Sequence, residues 1–231
     1  MKLAVIPARG GSKRIPRKNI KLFHGKPMIA YAITAACASK VFDRVIVSTD
    51  DEEIAQVAQM YGAETPFVRP PEFADDYIPT LPVMAHAIQT CQSLGWAVKD
   101  VCCIYPAVPF ISMVDLVTAY AMLNEQTSGY VFPVTPFPSP IQRALRRFPD
   151  GRVEPFQSEY AATRSQDLAP GFFDVGQFYW GKAHAWLGGL NAHLNNRTLV
   201  IPEWRVVDID TPADWERAEL LYETLSAKGL L

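Results

Sequence analysis

Short apolar segments alternate with longer amphipathic segments through the first 134 residues. Runs rich in Val, Ile and other apolar residues predict buried strands at 2–8, 44–49, 63–68, 101–105 and 130–134. Apolar positions at helical spacing predict helices at 27–39, 50–61, 80–94 and 112–124. Strands that alternate with helices of this length form βαβ units. We therefore expect an α/β protein with a mostly parallel, Rossmann-like sheet.

The expected helix starts carry capping residues. Asp50 is placed to cap the second helix, and Ser112 with Asp115 three residues later resembles a loose capping box for the fourth. The last helix has the clearest start, because Thr211 stands at the cap position, Pro follows it, and Asp214 completes a capping box.

The alternation stops at residue 135, where prolines become frequent. Between 136 and 172, short alternating pieces surround a turn at 149–151, which predicts a small antiparallel arm. The arm is too small to fold alone, so we expect a single domain over 1–231 whose arm packs on another subunit. The parallel strands are expected to resume at 177–180 and 199–201.

Composition excludes several classes of protein. Hydrophobic residues make up 49% of the 231 positions and charged residues 20%, so neither a disordered chain nor a coiled coil is expected. No apolar run approaches the roughly 18 residues of a membrane helix, and the apolar start is too short for a secretory signal. The four cysteines form no CxxC pair, which indicates buried thiols in a reducing cytoplasm.

The net charge of −2 conceals an uneven distribution. Nine basic and no acidic residues precede Asp43, whereas the rest of the chain carries 13 basic and 24 acidic residues. Five of the nine basic residues fall in the segment after the first predicted strand, namely Arg9, Lys13, Arg14, Arg17 and Lys18. The charge that distinguishes the first part of the chain is therefore concentrated in one loop.

This basic loop contains the parts of a phosphate-binding site. In open α/β sheets, ligands lie beyond the carboxyl ends of the strands. Gly10 and Gly11 allow backbone N–H groups to approach an anion, and Ser12 adds a hydroxyl. The loop matches neither the Walker pattern nor GxGxxG, which argues against a nicotinamide dehydrogenase. A solvated loop or a nucleic-acid patch is the alternative, but charge concentrated in one loop favours a phosphate ligand.

Two carboxylates near the C-terminus suggest a metal site. Asp208 and Asp210 stand two residues apart, so on an extended segment both side chains face the same way while Ile209 faces the core. Paired carboxylates that share a ligand shell with substrate phosphates suit Mg²⁺. At this stage the alternative, in which Asp210 only ends a turn before the last helix, stays open.

Four ordered motifs resemble those of the sugar-acid cytidylyltransferases, the family of the CMP-sialic acid and CMP-Kdo synthetases. The basic loop, IPARGGSK followed by PRKN, resembles the signature loop of that family. The stretches FDRVIVSTD at 42–50, RPPEFADD at 69–76 and DIDT at 208–211 resemble its second strand, its RPxxLAxD segment and its metal-binding motif. The likeness spans essentially the whole chain. It implies a three-layer αβα nucleotidyltransferase fold with a small antiparallel dimerisation arm.

The resemblance also implies roles for particular residues. It implies a nucleotide site made of Ala8, Arg9, Gly10, Gly11, Ser12, Lys13, Asn19, Arg69, Ala74 and Asp76. It implies catalytic roles for Arg9, Lys13, Lys18 and Asp210. It implies a sugar site that includes Tyr105, Arg164 and Gln177, and a Mg²⁺ held by Asp208 and Asp210.

The implied partners are CTP and a nonulosonic acid, in a cytoplasmic homodimer that binds neither nucleic acid nor membrane. The stretches 139–145 and 174–182 resemble the subgroup that activates pseudaminic acid. The sialic acid enzymes have polar residues where this chain has Tyr105 and Val175, which fits a sugar with a terminal methyl group. The implied reaction is attack of the anomeric hydroxyl on the α-phosphate of CTP, with N-acetylneuraminic or legionaminic acid as the alternative acceptor.

Overall fold

A computed structural model describes residues 1–75, 77–125 and 129–230. The strands are β1 (Lys2–Pro7), β2 (Leu22–Phe23), β3 (Lys26–Pro27), β4 (Arg44–Ser48), β5 (Asp100–Ile104), β6 (Tyr130–Pro136), β7 (Leu145–Arg147), β8 (Val153–Pro155), β9 (Phe172–Asp174), β10 (Phe178–Lys182) and β11 (Arg197–Val200). The α-helices are α1 (Met28–Ser39), α2 (Glu52–Met60), α3 (Thr80–Ser93), α4 (Met113–Asn124), α5 (Ala183–Leu187) and α6 (Pro212–Ala227). No helix in these ranges is long and apolar enough to cross a membrane.

A seven-stranded sheet forms the centre of the molecule. Six strands lie in the order β11-β6-β10-β5-β1-β4, and β9 pairs with β6 beside this path. The pairs β1–β4, β1–β5 and β6–β11 are parallel. The α/β class with a mostly parallel sheet is therefore confirmed.

Both faces of the sheet are buried under helices. In β1, Ala4 and Ile6 join the cluster that contains residues of α1, α2 and α4, whereas Leu3 and Val5 join the cluster that contains residues of α3 and α5. The adjacent cysteines of β5 divide in the same way between the two clusters. Alternate residues of a strand face opposite sides of a sheet, so this division produces the expected three layers.

The predicted strand over 63–68 is wrong. Only Glu64 bridges to β4, where its N–H donates to the Val45 carbonyl at 2.8 Å and its carbonyl accepts from the Val47 N–H at 2.9 Å. Pro66 follows two residues later, and a proline has no N–H with which to continue the ladder.

The strand predicted at 177–180 is present as β10, which spans Phe178–Lys182, but the expected parallel direction is wrong. β10 is antiparallel to both of its neighbours, β5 and β6. The chain leaves β6 at its carboxyl end and returns at the same edge, where β9 pairs antiparallel with the end of β6. Because no crossover carries the chain back to the opposite edge, the next strand must run in reverse.

The predicted arm contains a β-hairpin outside the main sheet. β7 and β8 pair antiparallel around the turn at 149–151, and both strands are exposed along their whole length. The hairpin confirms the antiparallel structure that the sequence indicates for this segment.

Helix caps agree with the sequence at one helix and differ at two. The capping box of α6 between Thr211 and Asp214 is present. The cap of α2 is Asp51 rather than Asp50, and it accepts from the Ile54 N–H. Ser112 caps α4, but Asp115 forms an ion pair with Arg205 instead of completing a capping box.

We predict that Gly181→Ala destabilises the fold, because β10 passes closely between aromatic side chains. A Cβ atom at this position would lie 2.6 Å from the Tyr130 ring and 2.8 Å from the Trp186 indole nitrogen. Overpacking of this kind costs about 1–3 kcal/mol of unfolding free energy. Gly11→Ala is the matched control, since no described atom lies within 4 Å of its added Cβ. Equal denaturant midpoints for the two variants would contradict the prediction.

Candidate active site

A cleft of about 840 Å³ opens at the carboxyl edge of the parallel strands. Its walls come from the loops after β1 and β5, the segment before α3, the turn between β9 and β10, and the segment before α6. The residues that the sequence assigned to a site and that line this cleft are Arg9, Ser12, Lys13, Lys18, Asn19, Arg69, Tyr105, Asp208 and Asp210. The fold thus brings together residues about 200 positions apart in the chain.

Hydrogen bonds to backbone carbonyls fix the conformation of the basic loop. The buried Asn19 amide donates to the Arg9 carbonyl at 3.0 Å, and the Ser12 N–H donates to the Gly10 carbonyl at 3.1 Å. The Arg9 guanidinium donates to the Asp75 carbonyl at 3.0 Å. The loop and the segment before α3 are therefore joined across one end of the cleft.

The two glycines of the loop have different surroundings. The Gly10 N–H donates to the Asp50 carboxylate at 3.0 Å, so it is engaged within the protein. A Cβ at Gly10 would lie 2.7 Å from an Asp51 carboxylate oxygen, which explains why a glycine is needed there. Gly11 has ordinary backbone angles and open space around it. Neither glycine lines the cleft, and of the two only Gly11 has open space where a side chain would be.

Arg17 belongs to the basic loop in sequence but lies outside the cleft. It adopts a left-handed backbone conformation with φ of 57°. Its guanidinium makes two hydrogen bonds to Asp51 and a third to Glu53, at the start of α2. The hydrogen bonds from Arg17 lower the pKa of Asp51 below its ordinary value. Arg17 therefore fastens the loop to α2.

The segment before α6 carries the two carboxylates on a wall that adjoins the basic loop. Arg14 forms an ion pair with Asp210 at 2.9 Å. The Lys18 ammonium donates to the Ile209 carbonyl at 2.7 Å and lies 3.4 Å from Asp210. The resemblance implies a catalytic role for Lys18 but gives Arg14 no role beyond its place in the basic loop, because the partner of Arg14 is known only once the chain has folded.

Asp208 lies on the same wall, two residues before Asp210. Burial raises its pKa above the ordinary value, and the neighbouring Asp210 raises it further, whereas Lys18 and Arg14 act in the opposite direction. Asp208 and Asp210 both face the cleft. No cluster of three or more His, Cys, Asp or Glu side chains suited to a metal occurs within residues 1–75, 77–125 and 129–230.

Arg69 is almost completely buried at the end of β4. Its guanidinium donates to the hydroxyl and the carbonyl of Ser48, and its backbone N–H donates to the Thr49 carbonyl at 2.8 Å. Burial lowers the pKa of Arg69 to about 10. The residue lines the cleft beside Phe73 as a fixed cation.

Tyr105 forms part of the wall beyond β5. Its hydroxyl lies 2.9 Å from the Thr80 hydroxyl, and burial raises its pKa to about 12. Its backbone N–H donates to the Gln177 carbonyl at 2.9 Å. The buried Gln177 amide donates in turn to the Arg205 carbonyl, so Gln177 links two walls without lining the cleft.

Several of the assigned residues do not line the cleft. Ala8 is buried, and its N–H donates to the Ser48 carbonyl. Ala74 ends a short helical turn whose neighbours Phe73 and Asp75 line the cleft instead. Arg164 is exposed on the arm, outside the cleft of its own chain. Asp76 lies outside the described residues.

Comparisons with known proteins identify the family of the chain. The family model described as cytidylyltransferase matches residues 3–142. A pseudaminic acid cytidylyltransferase of Campylobacter jejuni is 43% identical over 96% of each chain. An N-acylneuraminate cytidylyltransferase A of Danio rerio is 34% identical over 94% of this chain and 49% of its own length.

The fold is also that of a solved enzyme with low sequence identity. A CMP:2-keto-3-deoxy-manno-octonic acid synthetase in complex with CTP superimposes with a TM-score of 0.70 at 18% identity, covering 96% of this chain and 98% of its own. The motifs, the family model and the full-length relative lead to one conclusion. The chain belongs to the cytidylyltransferase family.

Proposed function

We propose that the protein transfers CMP from CTP to pseudaminic acid and releases diphosphate. The single observation that supports the chemistry is that the basic loop contacts the segment of the two carboxylates, and both line one cleft. The choice of sugar rests on the Campylobacter jejuni relative, which is similar over nearly the whole chain. The zebrafish relative, named for N-acylneuraminate, supports the alternative acceptor at lower identity.

The basic loop is suited to bind the triphosphate. Arg9, Ser12, Lys13 and Asn19 line the cleft beside one another in the chain and supply charged and neutral donors. Gly11 has no side chain to obstruct an approaching phosphate. Positive charge in a partly enclosed cleft stabilises the charge that develops on the leaving diphosphate, and this electrostatic effect is a large part of phosphoryl-transfer catalysis.

Asp208 and Asp210 fit a hydrated Mg²⁺. Two carboxylates supply hard oxygen ligands, and substrate phosphates and water complete such a shell. Burial and the neighbouring Asp210 raise the pKa of Asp208, and a bound cation would act in the opposite direction. When bound, the metal would neutralise phosphate charge and favour ionisation of the attacking hydroxyl. Arg14 and Lys18 hold Asp210 in position on the same wall.

The remaining walls would bind the base and the sugar. Arg69 and the segment around Phe73 lie beside the phosphate loop, where they would bind the cytidine. Tyr105 and Val175 line the cleft as well, where an aromatic ring and a small apolar group would contact the sugar. In-line attack requires the anomeric hydroxyl to be held against the α-phosphate, so positioning by these walls supplies much of the rate enhancement.

The arm would complete the site of a second subunit in a homodimer. It carries a row of exposed apolar side chains that includes Leu145, Val153 and Phe156. Such a patch is typical of a surface that another protein covers. Arg164 lies on this arm and would bind the acidic sugar in the partner's cleft.

The CTP requirement and four cysteines without disulfides suit a cytoplasmic location.

Diphosphate release from CTP, measured across a panel of sugar acids, tests the proposal. We expect turnover with pseudaminic acid to exceed turnover with N-acetylneuraminic, legionaminic or Kdo acceptors, and we expect CTP to raise Tm more than the other NTPs do. Lys13→Ala should reduce kcat/KM by about 100-fold or more, since a charged phosphate contact is removed.

Lys99→Ala is the matched control, because Lys99 is exposed at the opposite edge of the sheet, just before β5. A faster reaction with another sugar acid would reassign the acceptor. Equal losses in the Lys13 and Lys99 variants would remove the basic loop from the mechanism.

Asp210→Asn should raise the Mg²⁺ concentration needed for half-maximal turnover by about 10-fold or more, because one of two proposed anionic ligands is lost. A Mg²⁺ titration of diphosphate release measures the change. Glu223→Gln, an exposed change on α6, is the control. An unchanged metal titration in the Asp210 variant would contradict the metal assignment.

Mixed dimers test the arm. Lys13→Ala and Arg164→Ala subunits should each be poorly active alone, yet their heterodimer would contain one site with both native residues. Random reassociation of equal amounts should then restore about a quarter of the wild-type activity, because half of the dimers are mixed and each has one intact site. Light scattering gives the oligomeric state. No recovery, or a fully active monomer, would contradict the shared site.

A further inference from the structure

Asp174 is held by hydrogen bonds in the cleft wall, and the proposed reaction gives it no role. It is the last residue of β9 and lines the cleft together with Phe173, Val175 and Gly176. Its carboxylate accepts hydrogen bonds from the Tyr179 hydroxyl, from the Gly176 N–H at 2.9 Å, and from a His193 ring nitrogen at 2.7 Å when that nitrogen is protonated. Its side chain keeps 23% of its surface exposed, so the carboxylate remains accessible to a ligand.

The partners of Asp174 are themselves fixed. Tyr179 projects from β10 and stacks on Phe132, with ring centroids 5.3 Å apart. His193 packs edge-on against the same Phe132 ring. The loop that carries His193 is held by Asn196, whose amide nitrogen lies within hydrogen-bond distance of three backbone carbonyls and whose amide oxygen accepts from the Tyr130 N–H at 2.7 Å. Asp174 is therefore an anion with a fixed direction, supported by groups from three segments of the chain.

The charge of Asp174 is opposite to that of the basic loop, and its strand is separate from the segment that carries Asp208 and Asp210. The loop after β1 presents Arg9, Lys13 and Lys18, whereas Asp174 adds a negative group beside Tyr105. Tyr105 and Tyr179 contact each other with ring centroids 6.1 Å apart, which joins Asp174 to the wall proposed to bind the sugar. A carboxylate here repels the acid group of a sugar acid and attracts its neutral O–H and N–H donors.

We propose that Asp174 determines acceptor specificity by accepting a hydrogen bond from a hydroxyl or acylamino N–H of the sugar acid. The inference rests on the proposed cytidylyltransferase function and deepens it. Asp174 would also direct the sugar's own carboxylate away from this wall, so that only one orientation places the anomeric hydroxyl near the α-phosphate. Tyr179 and His193 are positioning residues, because they hold Asp174 and act on the sugar through it.

Steady-state kinetics with each substrate varied separately test the proposal. Asp174→Asn should raise KM for the sugar acid by about 10- to 100-fold, as expected when a hydrogen bond to a charged acceptor is lost. KM for CTP should stay within about twofold of wild type, because Asp174 acts on the sugar only. His193→Ala should give a smaller rise in the same KM, and His193→Gln, which keeps a donor, should recover most of it. Glu223→Gln is the control.

Analogues of the accepted sugar that lack one hydroxyl or carry one N-methylated amide identify the donor. Wild type should bind one analogue more weakly than it binds the parent sugar. The Asp174→Asn variant should bind that analogue and the parent sugar equally, since the hydrogen bond in question is already absent. An unchanged sugar KM in Asp174→Asn would overturn the inference while leaving the function intact. If Asp174→Asn unfolds, the same KM comparison in Tyr179→Phe decides. A wild-type enzyme inactive with every sugar acid would overturn both proposals.

Discussion

The contact between the basic loop and the segment before α6 is the constraint on which the site depends. The Lys18 ammonium binds the Ile209 carbonyl across a separation of 191 residues, and Arg14 pairs with Asp210 beside it. Apolar packing supports the same contact, because Ile15 and Ile209 belong to one buried cluster with Trp215 of α6. The capping box of α6 begins directly after Asp210, so the helix and the carboxylate are fixed together. One junction thus orders both sides of the cleft.

Much of the fold follows from local patterns. The alternation of buried strands and helices predicts the parallel part of the sheet, since each βαβ unit is specified by a contiguous stretch of chain. The direction of β10, by contrast, does not follow from a contiguous βαβ unit. It depends on where the arm delivers the chain, and the apolar run over 177–180 looks the same in either direction. The segment over 63–68 has a strand-like composition, but a proline limits its pairing to a single bridge.

The parts of the site that were predictable from the sequence are those in which neighbouring residues form one motif. The loop after β1 and the pair Asp208 and Asp210 are local motifs, and the fold places both in the cleft. Tertiary contacts decide the rest. Arg17 carries a positive charge and lies next to Lys18 in the sequence. Its left-handed backbone conformation nevertheless directs its side chain towards α2. Asp174 begins the stretch 174–182 that resembles the pseudaminic acid subgroup, but its role had no sequence signal, because Tyr179 and His193 contact it only in the assembled fold.

The attachment of the basic loop to α2 has a consequence for binding. Arg17 and Gly10 fasten one side of the loop to the carboxylates of Asp50 and Asp51, and Asn19 fixes its backbone from within. A loop that is ordered before a ligand arrives loses little conformational entropy on binding. A polyanion therefore binds without the full entropic cost that ordering a flexible loop would impose. In this protein the acidic residues nearest the phosphate loop act as a rigid support for its positive charge.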